Sequence, residues 1–225
     1  MSDASRDELL LAIDCGTQSV RALLVDLHGE ILAKVQQPFD DYVSLQDGWL
    51  EHDADAFWQA SAGVCRRLLQ EQSALAPRVK GLVVTTQRGT LVPVDAAGRP
   101  LRRFIIWLDQ RRATQARRFS PWWRLAFRAA GVSRTIDHFT RDAELNWMAE
   151  REPELLARTH KVLLLSGWLH YRLTGRFADS VGSQVGYLPF DFKRQQWAAG
   201  WDWKWQALPV RREQMPELVS VGETL

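Results

Sequence analysis

The chain has 225 residues, 46% of them hydrophobic, which is enough for one large α/β domain or two small ones to bury a core. Its 29 Lys and Arg against 27 Asp and Glu leave a formal charge of +2, too near balance to argue for a nucleic-acid or membrane partner. Cys15 and Cys65 form no CxxC pair and have no histidine at metal-ligand spacing, so a disulfide scaffold and a zinc site are both excluded.

The first residues, MSDASRDELL, put acidic groups ahead of a short apolar run, unlike a signal peptide, and no apolar run approaches the ~20 residues of a bilayer span. A cytoplasmic protein is expected. Residues 8–14 (ELLLAID) and 19–26 (SVRALLVD) read as strands joined by a Gly-containing turn, and 30–37 as a third, giving an antiparallel meander. Asp53 is a plausible N-cap, and Phe57, Ala60, Val64 and Leu68 recur at helical spacing, so a helix is predicted over 54–72, covering one face of the sheet. VKGLVVTTQ at 79–87 reads as a buried strand that delivers its carboxyl end to a site. TLVPVDAAGRPLRRFIIWLD reads as a hairpin turning at DAAGRP.

Helices are predicted over 110–119, 121–130, 141–151 and 153–159, the last pair separated at Pro153. A short strand or buried turn is expected at 161–165, then a helix from Gly167 to Leu173 that stops at Gly175. The tail from Asp191 is aromatic and loop-rich, with WAAGWDWKW carrying four of the eleven tryptophans. A meander, a helix, another strand and further α/β material predict a ribonuclease-H-like domain of the actin-like ATPase type. Its mixed five-stranded sheet with flanking helices would make residues 1–225 one domain.

The turn between the first two strands carries the sharpest chemistry. Gly16, Thr17, Gln18 and Ser19 offer backbone N–H groups and two hydroxyls to one side, an anion-binding nest suited to phosphate. Asp14 stands at the strand end where Mg²⁺ could be held directly or through water, and Arg21 adds a fixed cation. The same residues also make an ordinary polar hairpin turn.

Four segments together resemble the N-terminal domain of the FGGY carbohydrate kinases. AIDCGTQSVRALLVD is similar to that family's first phosphate loop, and DGWLEHDADAFW to its acidic Gly-Trp segment. VVTTQRGTLVPVDAAGRPLRRFIIWLDQRRA resembles the family's strand, Gln-Arg pair, hairpin and Trp-x-Asp-x-Arg motif; HYRLTGRFADSVGSQVGYLPFDFKRQQW resembles its Leu-Thr-Gly segment.

The resemblance implies ATP and Mg²⁺ as cofactors and a sugar or polyol as substrate. Asp14 would assist the metal, Gly16 to Ser19 would face the phosphates, and Arg21 would brace that corner. Gln87, Arg88 and Asp109 would lie at the substrate, with the Trp107 ring against its carbons and Phe139 where glycerol-specific members carry a contacting Tyr; core packing is the competing role for Phe139, and pairing with Arg111 or Arg112 for Asp109. Gly89 replaces the Glu that glycerol-specific members have after the Gln-Arg pair, so a larger polyol or ketose is expected over glycerol; xylulose-specific members carry Met-His after a Gln there, so QRG does not match them either. ELNW, with Glu144, stands for the family's Lys-Leu-x-Trp.

The family's catalytic base belongs to a Gly-Asp-Gln segment that these residues do not include. The expectation is a kinase half that awaits its C-terminal nucleotide domain and is inactive alone. Two other readings stay open: a non-catalytic remnant or homo-oligomerisation domain using the Trp-rich tail, and a two-metal nuclease of the same fold. The latter lacks obvious second and third strand-borne carboxylates, and the basic stretch RRATQARRF reads as a solvated face rather than a nucleic-acid contact.

Overall fold

The computed structural model describes residues 8–40 and 42–225. It divides into two compact units, where the sequence reading has one domain: the residues up to Tyr42 with Asp53–Gln87, and Val43–His52 with Arg88–Leu225. In chain order the first elements are strands β1 (Leu9–Cys15), β2 (Ser19–Asp26) and β3 (Ile31–Pro38), the two-residue β4 (Glu51–His52) of the second unit, helix α1 (Ala54–Glu71) and β5 (Val79–Thr86).

The first unit is a mixed sheet in the order β3-β2-β1-β5, antiparallel through the meander and parallel between β1 and β5. Among the described residues it has four strands, one fewer than expected. Leu9, Leu11, Ile13 and Cys15 alternate inward along β1 and meet Phe57, Val64 and Leu68 of α1, the register that period-two alternation demands. Each large side chain so buried is worth about 2 kcal/mol. Asp53 caps α1, its carboxylate accepting from Asp55 N (2.8 Å) and Ala56 N (3.3 Å). Burial pushes the Cys15 thiol up to about 12, which leaves it inert.

Strand β5 departs from expectation. It lies at the sheet's outer edge, and Leu82 and Val83, which point to opposite faces, are 43% and 50% exposed rather than buried.

The second unit holds β6 (Leu91–Val94), β7 (Phe104–Ile105), α2 (Pro121–Ala129), α3 (Ser133–Asp142), α4 (Glu144–Arg151), α5 (Pro153–Arg158), β8 (Lys161–Leu164) and α6 (Leu165–Thr174). It continues with β9 (Ala178–Ser180), β10 (Phe190–Asp191), β11 (Gln196–Trp197), α7 (Lys204–Ala207) and β12 (Glu217–Val219). An antiparallel sheet in the order β4-β7-β6-β8 backs a core of Leu91, Ile105, Leu145, Met148, Leu164 and Phe190. The predicted hairpin is present, its turn fixed by Asp95, whose carboxylate accepts from Ala97 N and Arg99 N.

One helix prediction fails and one helix was not foreseen. Residues 110–119 form no helix, and α3 occupies a stretch that the sequence reading left unassigned ahead of a helix over 141–151.

Candidate functional site

In the first unit the β1–β2 turn is closed by Gly16 N donating to Ser19 O at 3.0 Å. Outer contacts pin it: Phe39 N donates to Gln18 O at 3.0 Å, and the Tyr42 hydroxyl to Thr17 O. Asp14 and Arg21 face each other in register, Arg21 Nη1 donating to Asp14 Oδ2 at 2.8 Å, with both side chains a little over a third exposed. Such a pair adds little stability but fixes where the carboxylate points. Ser19 is buried, and its hydroxyl accepts from Gln36 Nε2 at 3.0 Å, so the solvent-facing part of the turn falls to Gly16, Thr17 and Gln18.

The donor chemistry here fits magnesium bound together with phosphate oxygens. One partly exposed carboxylate cannot cage a metal, but Mg²⁺ takes few protein ligands and keeps waters or phosphates for the rest. Among the described residues no three His, Cys, Asp or Glu side chains are grouped to hold a metal.

Gln87 follows β5, its N–H donating to Cys15 O at 2.8 Å. Its side-chain amide nitrogen and oxygen are both buried with no hydrogen-bond partner among the described residues. A buried amide left so is costly unless a ligand or water completes it.

In the second unit a polar cavity of about 390 Å³ is lined by Trp107, Asp109, Arg111, Arg112, Asp142, Glu144 and Tyr187. The Trp107 ring is 50% exposed. Gly89 takes φ +74°, the left-handed region that favours glycine, and a Cβ there would come 3.3 Å from Trp107 Cβ.

Asp109 is fully occupied. It accepts from Arg111 Nε (2.8 Å), Arg111 Nη2 (2.7 Å), Arg111 N (2.8 Å) and Leu50 N (2.6 Å), which makes it a brace for the cavity wall and satisfies the pairing expected of it. Arg111 also donates to Glu51 Oε1 at 2.9 Å and lies between the rings of Trp49 (4.3 Å) and Trp147 (4.6 Å). Arg102 ties Glu51 on to Glu152.

The sequence reading missed three groups of this cavity: Asp142, paired with Arg112 at 2.8 Å, Glu144 and Tyr187. Burial pushes the Glu144 carboxyl up to about 7, against a hydrogen bond from its own backbone; Asp109 raises it further and Arg111 opposes. The altered Lys-Leu-x-Trp motif was the one signal for Glu144. Phe139 is not among the cavity's lining; it stacks behind Tyr187 (5.3 Å, 11°), the core role already set beside the substrate role. Arg88 is exposed, its Nη2 donating to the carbonyl of Gln184. Gln184 is held in turn by Asp179 Oδ2 at 3.0 Å.

The profile of the FGGY family of carbohydrate kinases, N-terminal domain, matches residues 9–225. A glycerol kinase from Rhodospirillum rubrum is 33% identical over 195 residues, which are 84% of this chain and 39% of that protein. One from Bordetella pertussis is 30% identical over 97% of this chain and 44% of its own length. Among solved structures, a xyloylose kinase from Brucella ovis superposes with a TM-score of 0.75 at 24% identity, and a ligand-bound xylulose kinase from Lactobacillus acidophilus with 0.74 at 18%. Each superposition covers 94% of this chain, and 43% and 42% of the other, and shows the same fold. The chain thus spans roughly two fifths of the length of the relatives it matches.

Proposed function

Because the chain belongs to the FGGY family of carbohydrate kinases as its N-terminal domain, we propose that it receives the sugar in an ATP-dependent kinase that phosphorylates a carbohydrate hydroxyl. A larger polyol or a ketose is the proposed substrate, in preference to glycerol. The observation that carries the reading is the half-exposed Trp107 ring at a cavity otherwise lined by charged and hydroxyl-bearing groups, a combination of flat apolar face and hydrogen-bonding rim that suits a sugar. Gly89 beside Trp107 supports the preference for size, since no side chain projects there to grip a small triol.

In this reading Arg88 forks across neighbouring hydroxyls, and the buried Gln87 amide finds its missing partner in ordered water. Glu144, poised near neutrality by burial, donates or accepts at a further hydroxyl. Asp14 holds the metal and Arg21 keeps that carboxylate aimed, while the turn, its Gly16 N–H spent on Ser19 O, presents Thr17 and Gln18 to phosphate. Bound magnesium nucleotide supplies the phosphoryl group and the charge neutralisation that its transfer needs. The carboxylate that takes the hydroxyl proton is assigned to a further domain, so this chain alone is expected to bind sugar without turning it over.

The test is a thermal-shift and calorimetric screen of pentoses, ketoses and polyols against the 225-residue chain. Saturable binding of a five- or six-carbon polyol or ketose is expected, abolished by Trp107→Ala and by Arg88→Ala, with no response to glycerol. A glycerol response equal to the best sugar overturns the substrate class; sugar binding unchanged in both variants removes this cavity from the site.

A further inference from the structure

A second cavity in the second unit, of about 560 Å³, has no place in the kinase reading. It is lined by Arg117, Arg118, Arg124 and Arg128 around Phe119 and Phe127, with Ser133, Ile136 and Asp137 completing it. Arg124 and Arg128 stand one turn apart on α2 and project from the same face; Arg117 and Arg118 come from the preceding segment. That segment is anchored, Arg117 N donating to Thr140 Oγ1 at 3.3 Å and Ser120 N to Gln206 Oε1 at 2.9 Å. The apolar wall is fixed as well: Phe119 meets Phe127 edge to face at 5.1 Å, and Trp123 stacks on Phe127 at 5.7 Å.

The charge here is uncompensated. Among the described residues none of the four arginines has a carboxylate within ion-pair distance, whereas Arg21, Arg67, Arg102, Arg111, Arg112, Arg176, Arg194 and Arg211 all do. Asp137 is the one acidic residue at the cavity and pairs with none of them. The first turn of α3, which opens at Ser133, carries no acidic residue either. Four guanidiniums held around one concavity repel each other, and the field they share is lowered most by a multivalent anion accepting forked hydrogen bonds.

We propose that this cavity binds a small polyanion, a molecule carrying two or more phosphate or carboxylate groups, with any apolar portion laid on the Phe119–Phe127 wall. The volume falls within the range of small-molecule sites, and the concave shape suits a compact ligand better than a strand of nucleic acid. The inference does not depend on the sugar cavity or on the Asp14 turn.

Isothermal titration calorimetry of the chain at low salt with inorganic tripolyphosphate, and separately with citrate, tests it. One saturable site is expected for at least one of them, weakened ten-fold or more by the paired change Arg124→Gln and Arg128→Gln, and unaffected by Arg66→Gln on the exposed face of α1. Both α2 positions are exposed, so far-UV circular dichroism should be unchanged in the variant. No saturable binding of either probe overturns the proposal. So does tripolyphosphate binding that ignores the paired change, which would locate the anion at another site such as the Asp14 turn. A single-stranded oligonucleotide that binds more tightly than tripolyphosphate, and increasingly so with length, also overturns it in favour of a nucleic-acid surface.

Discussion

Arg111 presents no side-chain surface to solvent, and its charge is matched by Asp109 and Glu51 within a clamp of two indole rings. Burial alone would lower its pKa, but the hydrogen bonds and charges of Asp109 and Glu51 outweigh that and keep it raised. Arg111→Ala would leave Asp109 buried without its countercharge, and is expected to cost about 3–5 kcal/mol in urea denaturation; a loss below 1 kcal/mol would show the clamp to be dispensable. Glu144 gives a pH signature. Its carboxyl is raised in the folded chain to about 7 from 4.5, so between those values the folded state holds a proton that the unfolded state has released, and stability falls as pH rises. Glu144→Gln should therefore raise the melting temperature at pH 8 and leave it nearly unchanged at pH 4; equal shifts at both would contradict the burial argument. Asp14 and Arg21 were legible because one tight turn joins their strands. Asp142, Glu144 and Tyr187 line one cavity with Trp107 only through tertiary folding; apart from the ELNW departure that marks Glu144, no spacing announces them.

The meander, α1 and the β6–β7 hairpin could be read directly, because alternation, an N-cap and a Gly-containing turn are local signals. The segment 110–119 could not. Its backbone donors are taken by distant acceptors: Gln110 N by Gly48 O, Ala113 N by Arg141 O, Thr114 N and Gln115 N by the Glu150 carboxylate. Tertiary partners thus displaced a helix that composition favours. Helix α3 escaped notice because Ile136 is its one buried large apolar residue.

Two variants test elements. Gly98, at φ +69° in the DAAGRP turn, leaves no room for a methyl group, since a Cβ would fall 1.9 Å from Tyr171 Cε1; Gly98→Ala should cost about 1–3 kcal/mol by chemical denaturation, unless Tyr171 swings away. Asp179, buried in the middle of β9, accepts from Ser166 Oγ (3.1 Å), Gln184 Nε2 (3.0 Å) and Ser180 N (2.9 Å), and so holds the turn whose Gln184 carbonyl receives Arg88. Asp179→Ala orphans those donors, for an expected loss of about 2–3 kcal/mol with weakened sugar binding; intact sugar affinity in the folded variant would uncouple the turn from Arg88.

At the level of the whole molecule, one family profile runs across both compact units, so a single evolutionary domain is built from two cores. Composition alone allowed either one large core or two small ones, and the interleaved boundary, with Val43–His52 leaving the first unit between β3 and α1, carries a single Gly (Gly48) rather than a Gly/Pro-rich linker to reveal it. The relatives' greater length is why turnover is assigned to a further domain rather than to these residues. Strand β5 governs how the chain behaves in a tube. Among the described residues no strand pairs with its outer side, where the ladder is flanked by Leu82 and Val83, with Lys80 the only charged side chain along the strand. Light scattering on the concentrated protein should report self-association, and Val83→Lys should suppress it; equal scattering would clear the strand of blame. Colloidal lifetime in storage would then turn on eight edge residues, and a formulation that shields them should lengthen it; since Thr85 of the strand pairs with Asp14 and Gln87 follows directly, ligand binding has to be checked in the same buffer.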